Sequence, residues 1–221
     1  MIEEPDSSEQ FSLFPCDGSK REPKRMRIYF DTNQLYYIRK IAEEARGCEY
    51  GDYEWAHRRF PNDPALVQDI RALCYILALQ YEWDLDFCSS DASFTEVNLR
   101  GDERAQATRE AWILFAEGLK EDQLLRWVPF LPDWPISGRF SLTFIEDPAD
   151  RVILRDFASA SADVLLTSDG HMLKHKEELA HLNLTVMRPH EWLNDFLSDL
   201  RDGEDAVDWL ERILFGIGRS Q

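Results

Sequence analysis

The chain has 221 residues and a formal net charge of −17, from 42 acidic and 25 basic residues. A chain of this length can bury a full hydrophobic core, so it needs no disulfide staples to fold. The negative excess repels nucleic acids at long range. Binding of a polynucleotide would therefore need bound cations or grouped basic side chains.

Cysteine usage and the amino terminus indicate a cytoplasmic protein. The four cysteines form no C-x-x-C pair and have no histidine partner at zinc-ligand spacing. The first ten residues are acidic and lack the basic and apolar regions of a signal peptide. The longest strongly apolar run, residues 72–79, is too short to span a bilayer. We expect reduced thiols, a cytoplasmic location and no membrane partner.

Strand and helix signals alternate along the chain. After a polar segment, the apolar run Ile28-Tyr29-Phe30 predicts a buried strand that ends at Asp31, and apolar residues at helical spacing follow it. Asp63-Pro64 and Asp147-Pro148 each place a capping acid before a proline, which predicts a helix start.

The remaining elements complete an alternating pattern. Further strands are predicted over residues 83–89, 162–166 and 184–187, and further helices over residues 102–119, 189–200 and 207–214. Between Trp127 and Gly138, three prolines and the glycine predict a long loop. Alternating strands and helices predict an α/β fold with a mostly parallel, covered sheet.

Four acidic residues lie at junctions between these elements: Asp31, Glu96, Asp150 and Asp169. Each has a structural explanation as a helix cap, as the partner of Ser93 in a capping box, or as a favourable charge at a helix start. In a parallel sheet, however, such junctions meet at one edge, where four carboxylates would repel one another without a cation between them. Mg²⁺ or Mn²⁺ suits these oxygen ligands and can activate water against a phosphodiester.

Basic side chains near the same edge are candidates for contacts to substrate phosphates, with plain surface solvation as the alternative: Arg151, Arg155 and Lys174. His171 and His175 have the i, i+4 spacing of paired metal ligands. Because no H-E-x-x-H context accompanies them, surface or phosphate-contacting histidines are the favoured interpretation.

At these junctions the sequence resembles the PIN-domain ribonuclease family. The resemblance rests on Ile28-Tyr29-Phe30-Asp31-Thr32-Asn33, Phe94-Thr95-Glu96-Val97, Asp147-Pro148-Ala149-Asp150-Arg151-Val152-Ile153-Leu154 and Ala162-Asp163-Val164-Leu165-Leu166-Thr167-Ser168-Asp169. The stretch Val186-Met187-Arg188-Pro189-His190-Glu191-Trp192-Leu193 resembles the family's closing strand and helix. Together these pieces extend over residues 27–200.

The resemblance implies a three-layer α/β/α sandwich with a mostly parallel sheet, and Mg²⁺- or Mn²⁺-dependent hydrolysis of RNA. It implies a catalytic and metal-binding cluster, with Asn33 and Thr167 as supporting polar groups, made of Asp31, Glu96, Asp150 and Asp169. The PIN-like domain would cover residues 26–200, with insertions at about 47–61 and 98–146. A flexible segment over residues 1–25 would precede it, and a C-terminal helix over residues 201–221 would follow it.

Two other functions stay open at this point. The net charge favours a catalytically silent PIN-fold module that binds a protein, whereas the set of acids favours a nuclease. The third function is the toxin of a toxin-antitoxin pair, held inactive by a basic antitoxin. RNA is the expected substrate partner, and a homodimer, a cognate antitoxin or another protein partner stay open as alternatives.

Overall fold

The computed structural model describes residues 25–44, 53–80, 83–90, 127–129 and 141–215, and for residues 127–129 it describes the backbone alone. These residues form an α/β structure built on a parallel sheet. The strands are β1 Met26–Phe30, β2 Leu85–Ser89, β3 Trp127–Pro129, β4 Val164–Leu166 and β5 Val186–Met187. The helices are α1 Thr32–Glu44, α2 Glu54–Arg59, α3 Pro64–Leu79, α4 Pro148–Ser159, α5 Gly170–Leu173, α6 Lys176–His181, α7 Pro189–Phe196 and α8 Ala206–Phe215, with a 3₁₀ turn at Ser198–Leu200.

The five strands lie in the order β3-β2-β1-β4-β5, and every neighbouring pair is parallel. From β1 the chain moves outward to β2 and β3, and it then returns to the other side of β1 to form β4 and β5. The order of strands therefore reverses between β1 and β4. In open α/β sheets, the crevice beyond the carboxyl ends of the strands at such a switch point is where ligands bind.

Alternating side chains of the central strands supply two separate cores. Ile28 and Phe30 of β1 are buried in a cluster with apolar residues of α1, α3, α7 and α8. Tyr29 of β1 and Leu165 of β4 are buried in a second cluster with residues of α4 and α6. Because successive strand residues point to opposite faces, helices cover both sides of the sheet. This arrangement is compatible with a three-layer sandwich.

Both predicted helix starts are confirmed. The Asp63 carboxylate accepts a hydrogen bond of 3.0 Å from the backbone N–H of Leu66 at the start of α3. The Asp147 carboxylate accepts one of 2.8 Å from Ala149 at the start of α4. In each helix a proline occupies the first turn, where its missing N–H would have no intrahelical partner.

The predicted loop from Trp127 to Gly138 is wrong at its beginning, where β3 pairs with β2. Pro129 forms the last position of this edge strand, and an edge strand tolerates a residue that donates no hydrogen bond. Three residues are too few for a periodic signal, so only the pairing with β2 defines the strand.

The predicted insertion at about residues 47–61 contains the helix α2, which has buried residues. Trp55 and Ala56 of α2 pack with Val67 and Ile70 of α3 in a third cluster. This part of the predicted insertion therefore contributes to the core.

Several predicted features lie outside the described residues. They are most of the N-terminal segment, the Ser93–Glu96 capping box, the helix over residues 102–119 and the last residues of the chain. In the part of the chain that is described, no helix combines the length and the apolar character that crossing a membrane requires.

Candidate functional site

Asp31 lies at the carboxyl end of β1, beside the switch point. Its side chain is 3% exposed, and it caps α1 by accepting a hydrogen bond of 2.8 Å from the backbone N–H of Gln34 at Oδ1. Its other oxygen, Oδ2, accepts a hydrogen bond from the hydroxyl of Thr167. The carboxylate is thus a helix cap, as one sequence interpretation held, and it is also held from the neighbouring strand.

Thr167 connects Asp31 to Asp169. Thr167 directly follows β4, is fully buried and accepts a hydrogen bond of 2.9 Å from the backbone N–H of Asp169. Asp169 in turn caps the short helix α5 through Oδ1, which accepts from the N–H of His171 at 2.7 Å. Oδ2 of Asp169 makes no hydrogen bond to another described residue. One hydroxyl therefore couples the acids that end β1 and β4.

Asp150 and Asp169 line the same cleft, a space of about 430 Å³ between the start of α4 and helices α5 and α6. Its lining consists of Ile145, Glu146, Asp147, Pro148, Asp150, Asp169, His171, Lys174 and His175. Four of these side chains are carboxylates, so the cleft concentrates negative charge and favours a cation.

The structure places three of the four predicted acids, and they do not all lie in the cleft. Asp150 and Asp169 share the cleft, Asp31 is joined to Asp169 through Thr167, and Glu96 lies outside the described residues. Among the residues that the structure describes, no three His, Cys, Asp or Glu side chains form a group able to hold a metal ion. The described acids thus share one sheet edge without forming a complete ligand set.

The electrostatic effect of Asp31 extends to two tyrosines. Burial, followed by the negative charge of Asp31, raises the pKa of Tyr37 to about 12. Burial is also the main cause of a raised pKa at Tyr29, whose hydroxyl donates to Ser90 at 2.6 Å. Both phenols are neutral near pH 7, so their hydroxyls act there as hydrogen-bond groups rather than as bases.

The two described cysteines lack nucleophilic character. Burial raises the pKa of Cys74 to about 12, and it raises that of Cys88 to the same value. A thiol reacts through its thiolate form, so both sulfurs remain unreactive near neutral pH.

The predicted phosphate contacts have three different environments. Lys174 lines the cleft, and Arg155 is exposed on α4. Arg151 donates to two backbone carbonyls, Ile145 O at 2.7 Å and Glu146 O at 2.9 Å. Its guanidinium therefore holds the segment that forms one wall of the cleft.

The histidine pair does not lie on one continuous helix. His171 belongs to α5, whereas His175 precedes α6 as its capping residue, and the two helices are separate. Both histidines line the cleft. The i, i+4 spacing therefore lacks the helix that would place both rings on one face.

The adjacent residues Asn33 and Gln34 differ in their exposure. Asn33, a predicted supporting group, is exposed on α1, while Gln34 is fully buried. The Gln34 amide donates to Ser168 Oγ at 2.8 Å, and its carbonyl oxygen has no hydrogen-bond partner among the described residues.

Sequence reasoning missed a second buried carboxylate at this edge. Asp69 of α3 is fully buried and contacts three side chains: Ser168 at 2.7 Å, Arg188 at 2.8 Å and His190 at 2.6 Å. The available signal was the spacing of Asp69 from the apolar residues Leu73 and Ile76, four and seven positions later, because a carboxylate on the apolar face of a helix is rarely buried without partners.

The comparisons give no family assignment. No protein-family model, curated protein or solved structure matches the chain.

Proposed function

We propose that the protein is a divalent-cation-dependent endoribonuclease with a PIN-like fold, whose cation site includes Asp31, Asp150 and Asp169. The observation that carries the proposal is the hydrogen-bonded link across the switch point, from the Asp31 carboxylate through the Thr167 hydroxyl to the backbone N–H of Asp169. A ligand site is expected at this place in a parallel sheet, and the groups found there are the hard oxygen donors that Mg²⁺ and Mn²⁺ prefer.

The donor chemistry fits such a cation. Asp31 and Asp169 both supply carboxylate oxygens, and Oδ2 of Asp169 has no hydrogen-bond partner in the described part of the chain. The side-chain carbonyl oxygen of Gln34 is a further buried acceptor, and it has no hydrogen-bond partner among the described residues. Because Mg²⁺ keeps several waters, a few carboxylates suffice to hold it, and Glu96 is the proposed additional ligand.

The cation, when bound, would lower the pKa of a water and stabilise negative charge on the phosphate. The residues of the chain orient the carboxylates and accept a proton. Gln34 and Thr167 fix the orientation of the Asp31 carboxylate, and Asp169 is fixed by the start of α5. In hydrolysis, water oxygen bonds to phosphorus, the ester P–O bond breaks, and the leaving oxygen ends with a proton. A fixed carboxylate can accept the proton that water loses.

RNA cleavage by the purified full chain tests the proposal, with Mn²⁺ or Mg²⁺ and with excess chelator. Asp169→Asn retains a good helix cap while it removes the charge, so folding should be preserved and cleavage lost. Asp63→Asn makes the same change at the cap of α3 and serves as the matched control. Cleavage that survives chelator, or that is equal in the two variants, would refute the proposal.

The second candidate is a silent module that binds a protein through its acidic surface, and the charge of −17 favours it. Such a module needs no cation at the carboxylates. Titration with Mn²⁺ distinguishes the two, because only the nuclease requires binding that disappears when the acids are neutralised.

A further inference from the structure

Beside the acids of the switch point lies a second polar group that the proposed cation chemistry does not use. Its centre is Asp69, a fully buried carboxylate on α3. Arg188 donates to its Oδ2 at 2.8 Å, and Nδ1 of His190 lies 2.6 Å from its Oδ1. We call Asp69, Arg188 and His190 the β5-edge triad.

The β5-edge triad lies at the same sheet edge as the proposed cation site. Arg188 directly follows β5, and β5 pairs in parallel with β4, the strand that precedes Thr167. The backbone N–H of Thr167 donates to Met187 O at 3.0 Å, immediately before Arg188. Arg188 and Thr167 therefore directly follow the ends of neighbouring strands.

Side-chain hydrogen bonds also join the two groups. Ser168 Oγ donates to Asp69 at 2.7 Å and accepts from the Gln34 amide at 2.8 Å. The backbone N–H of Gln34 donates to Asp31. An unbroken chain of contacts thus runs from Asp31 through Gln34 and Ser168 to Asp69, and it fixes the triad relative to the acids.

Arg188 and His190 retain donors that Asp69 does not use. Each side chain is 24% exposed, although the carboxylate that holds it is fully buried. Asp69 takes one terminal nitrogen of Arg188 and one ring nitrogen of His190. The other guanidinium N–H groups and Nε2 of His190 make no hydrogen bond to another described residue, so they can reach a ligand at this edge.

The chemistry of these donors selects the ligand. A guanidinium presents N–H groups in a fixed fork that matches phosphate oxygens, and a carboxylate behind it restricts its rotamers. A histidine whose Nδ1 contacts a carboxylate is oriented in the same way, with Nε2 facing outward. Although the chain has a net charge of −17, two such oriented side chains form a local binding site for phosphate.

We propose that Arg188 and His190 bind a phosphate of the RNA chain next to the one that is cleaved, with Asp69 as their positioning residue. This inference rests on the proposed function, because the cleaved phosphate is assigned to the acids. It identifies a phosphate site on the α3 and α7 side of the switch point. The cleft with Lys174 lies between α4, α5 and α6, so an RNA strand crossing the edge would meet basic groups on both sides.

The test measures three quantities on the full chain: affinity for a single-stranded RNA oligonucleotide by fluorescence anisotropy, affinity for Mn²⁺ by calorimetry, and RNA cleavage. Arg188→Lys keeps a positive charge for Asp69 and removes the fork. His190→Asn keeps a donor near the position of Nδ1 and removes Nε2. Arg59→Lys, at an exposed position on α2, is the matched control for the change from arginine to lysine.

Each of the two triad variants should bind RNA about tenfold more weakly, the loss expected for one charge-assisted hydrogen bond. Their affinity for Mn²⁺ and their melting temperature should stay close to those of the wild type, and Arg59→Lys should bind RNA with almost unchanged affinity. A purely structural triad would lower the melting temperature of the variants without a specific loss of RNA binding.

The outcomes separate the two proposals. RNA affinity unchanged in both triad variants would overturn the phosphate site and leave the nuclease proposal standing. Weakened RNA binding by the variants, in a wild type that binds no Mn²⁺, would support the site and refute the nuclease. A wild type without affinity for RNA would overturn the phosphate site.

Discussion

Thr167 donates its hydroxyl hydrogen to Asp31, and through the same oxygen it accepts the backbone N–H of Asp169. The side chain is fully buried between β1 and β4. A single threonine therefore orients the Asp31 carboxylate and holds the backbone of Asp169, although it carries no charge and is not itself a strong metal ligand.

Replacement of Thr167 distinguishes the hydrogen bonding of its hydroxyl from the packing of its side chain. Thr167→Val keeps the shape but leaves a buried carboxylate oxygen without its donor, which should cost about 1–3 kcal/mol of unfolding free energy. Cleavage should fall about 10- to 100-fold, as for groups that orient metal ligands. Thr167→Ser retains the hydroxyl and should keep most of the activity. Cleavage and thermal unfolding of both variants check this, and equal loss in the two would contradict the role of the hydroxyl.

Arg151 should behave as a structural residue of the cleft wall. Its guanidinium donates to the carbonyls of Ile145 and Glu146, and a lysine in its place cannot make both contacts. We expect Arg151→Lys to cost about 1–2 kcal/mol of unfolding free energy and to speed proteolysis within residues 141–147. Arg155→Lys, on the exposed side of α4, should change neither quantity. A variant that loses RNA affinity while its stability is unchanged would show that Arg151 contacts phosphate instead.

Glu211 of α8 anchors that helix to α3 and predicts a pH effect. It accepts hydrogen bonds from Tyr75 at 3.0 Å and from Nε of Arg71 at 2.9 Å. Burial would raise the pKa of Glu211, but hydrogen bonds and the charge of Arg71 outweigh it and hold the pKa below its usual 4.5. A lowered pKa in the folded state adds stability above pH 4.5, and this stability is lost as the pH falls through the folded value.

Glu211→Gln should therefore lower the unfolding free energy by about 1–3 kcal/mol at pH 7, with a smaller difference from wild type below pH 4.5. Urea unfolding at pH 7 and at lower pH measures both effects. Glu43→Gln, which breaks a surface ion pair with Arg39, should cost no more than about 0.5 kcal/mol. A difference that does not change with pH would show that the Glu211 charge is not the cause.

The sequence predicted the elements whose ends carry a capping acid, a proline or a turn-forming residue. Asp63-Pro64 and Asp147-Pro148 begin α3 and α4 because cap and proline act within a few residues. The strand that ends at Asp31 was likewise visible, since its apolar run stops at a turn-forming residue. Each of these features depends on neighbours along the chain.

The missed features depend on distant contacts. β3 exists because it pairs with β2, which lies some 40 residues earlier in the chain. In the sequence, Asp69 is one of several polar residues in a largely apolar helix. Only the hydrogen bonds from Ser168, Arg188 and His190, which are distant in sequence, allow its carboxylate to be buried. Gln34 and Asn33 are adjacent in sequence, and the helix orientation alone determines which of them faces the site.

Calorimetric titration with Mn²⁺ tests the central claim most directly, because the claim is that Asp31 and Asp169 jointly hold a divalent cation. We expect the wild-type chain to bind Mn²⁺, Asp31→Asn and Asp169→Asn each to weaken or abolish the binding, and Asp63→Asn to bind as the wild type does. Wild-type affinity for Mn²⁺ in both site variants, or no binding by the wild-type chain, would contradict the account.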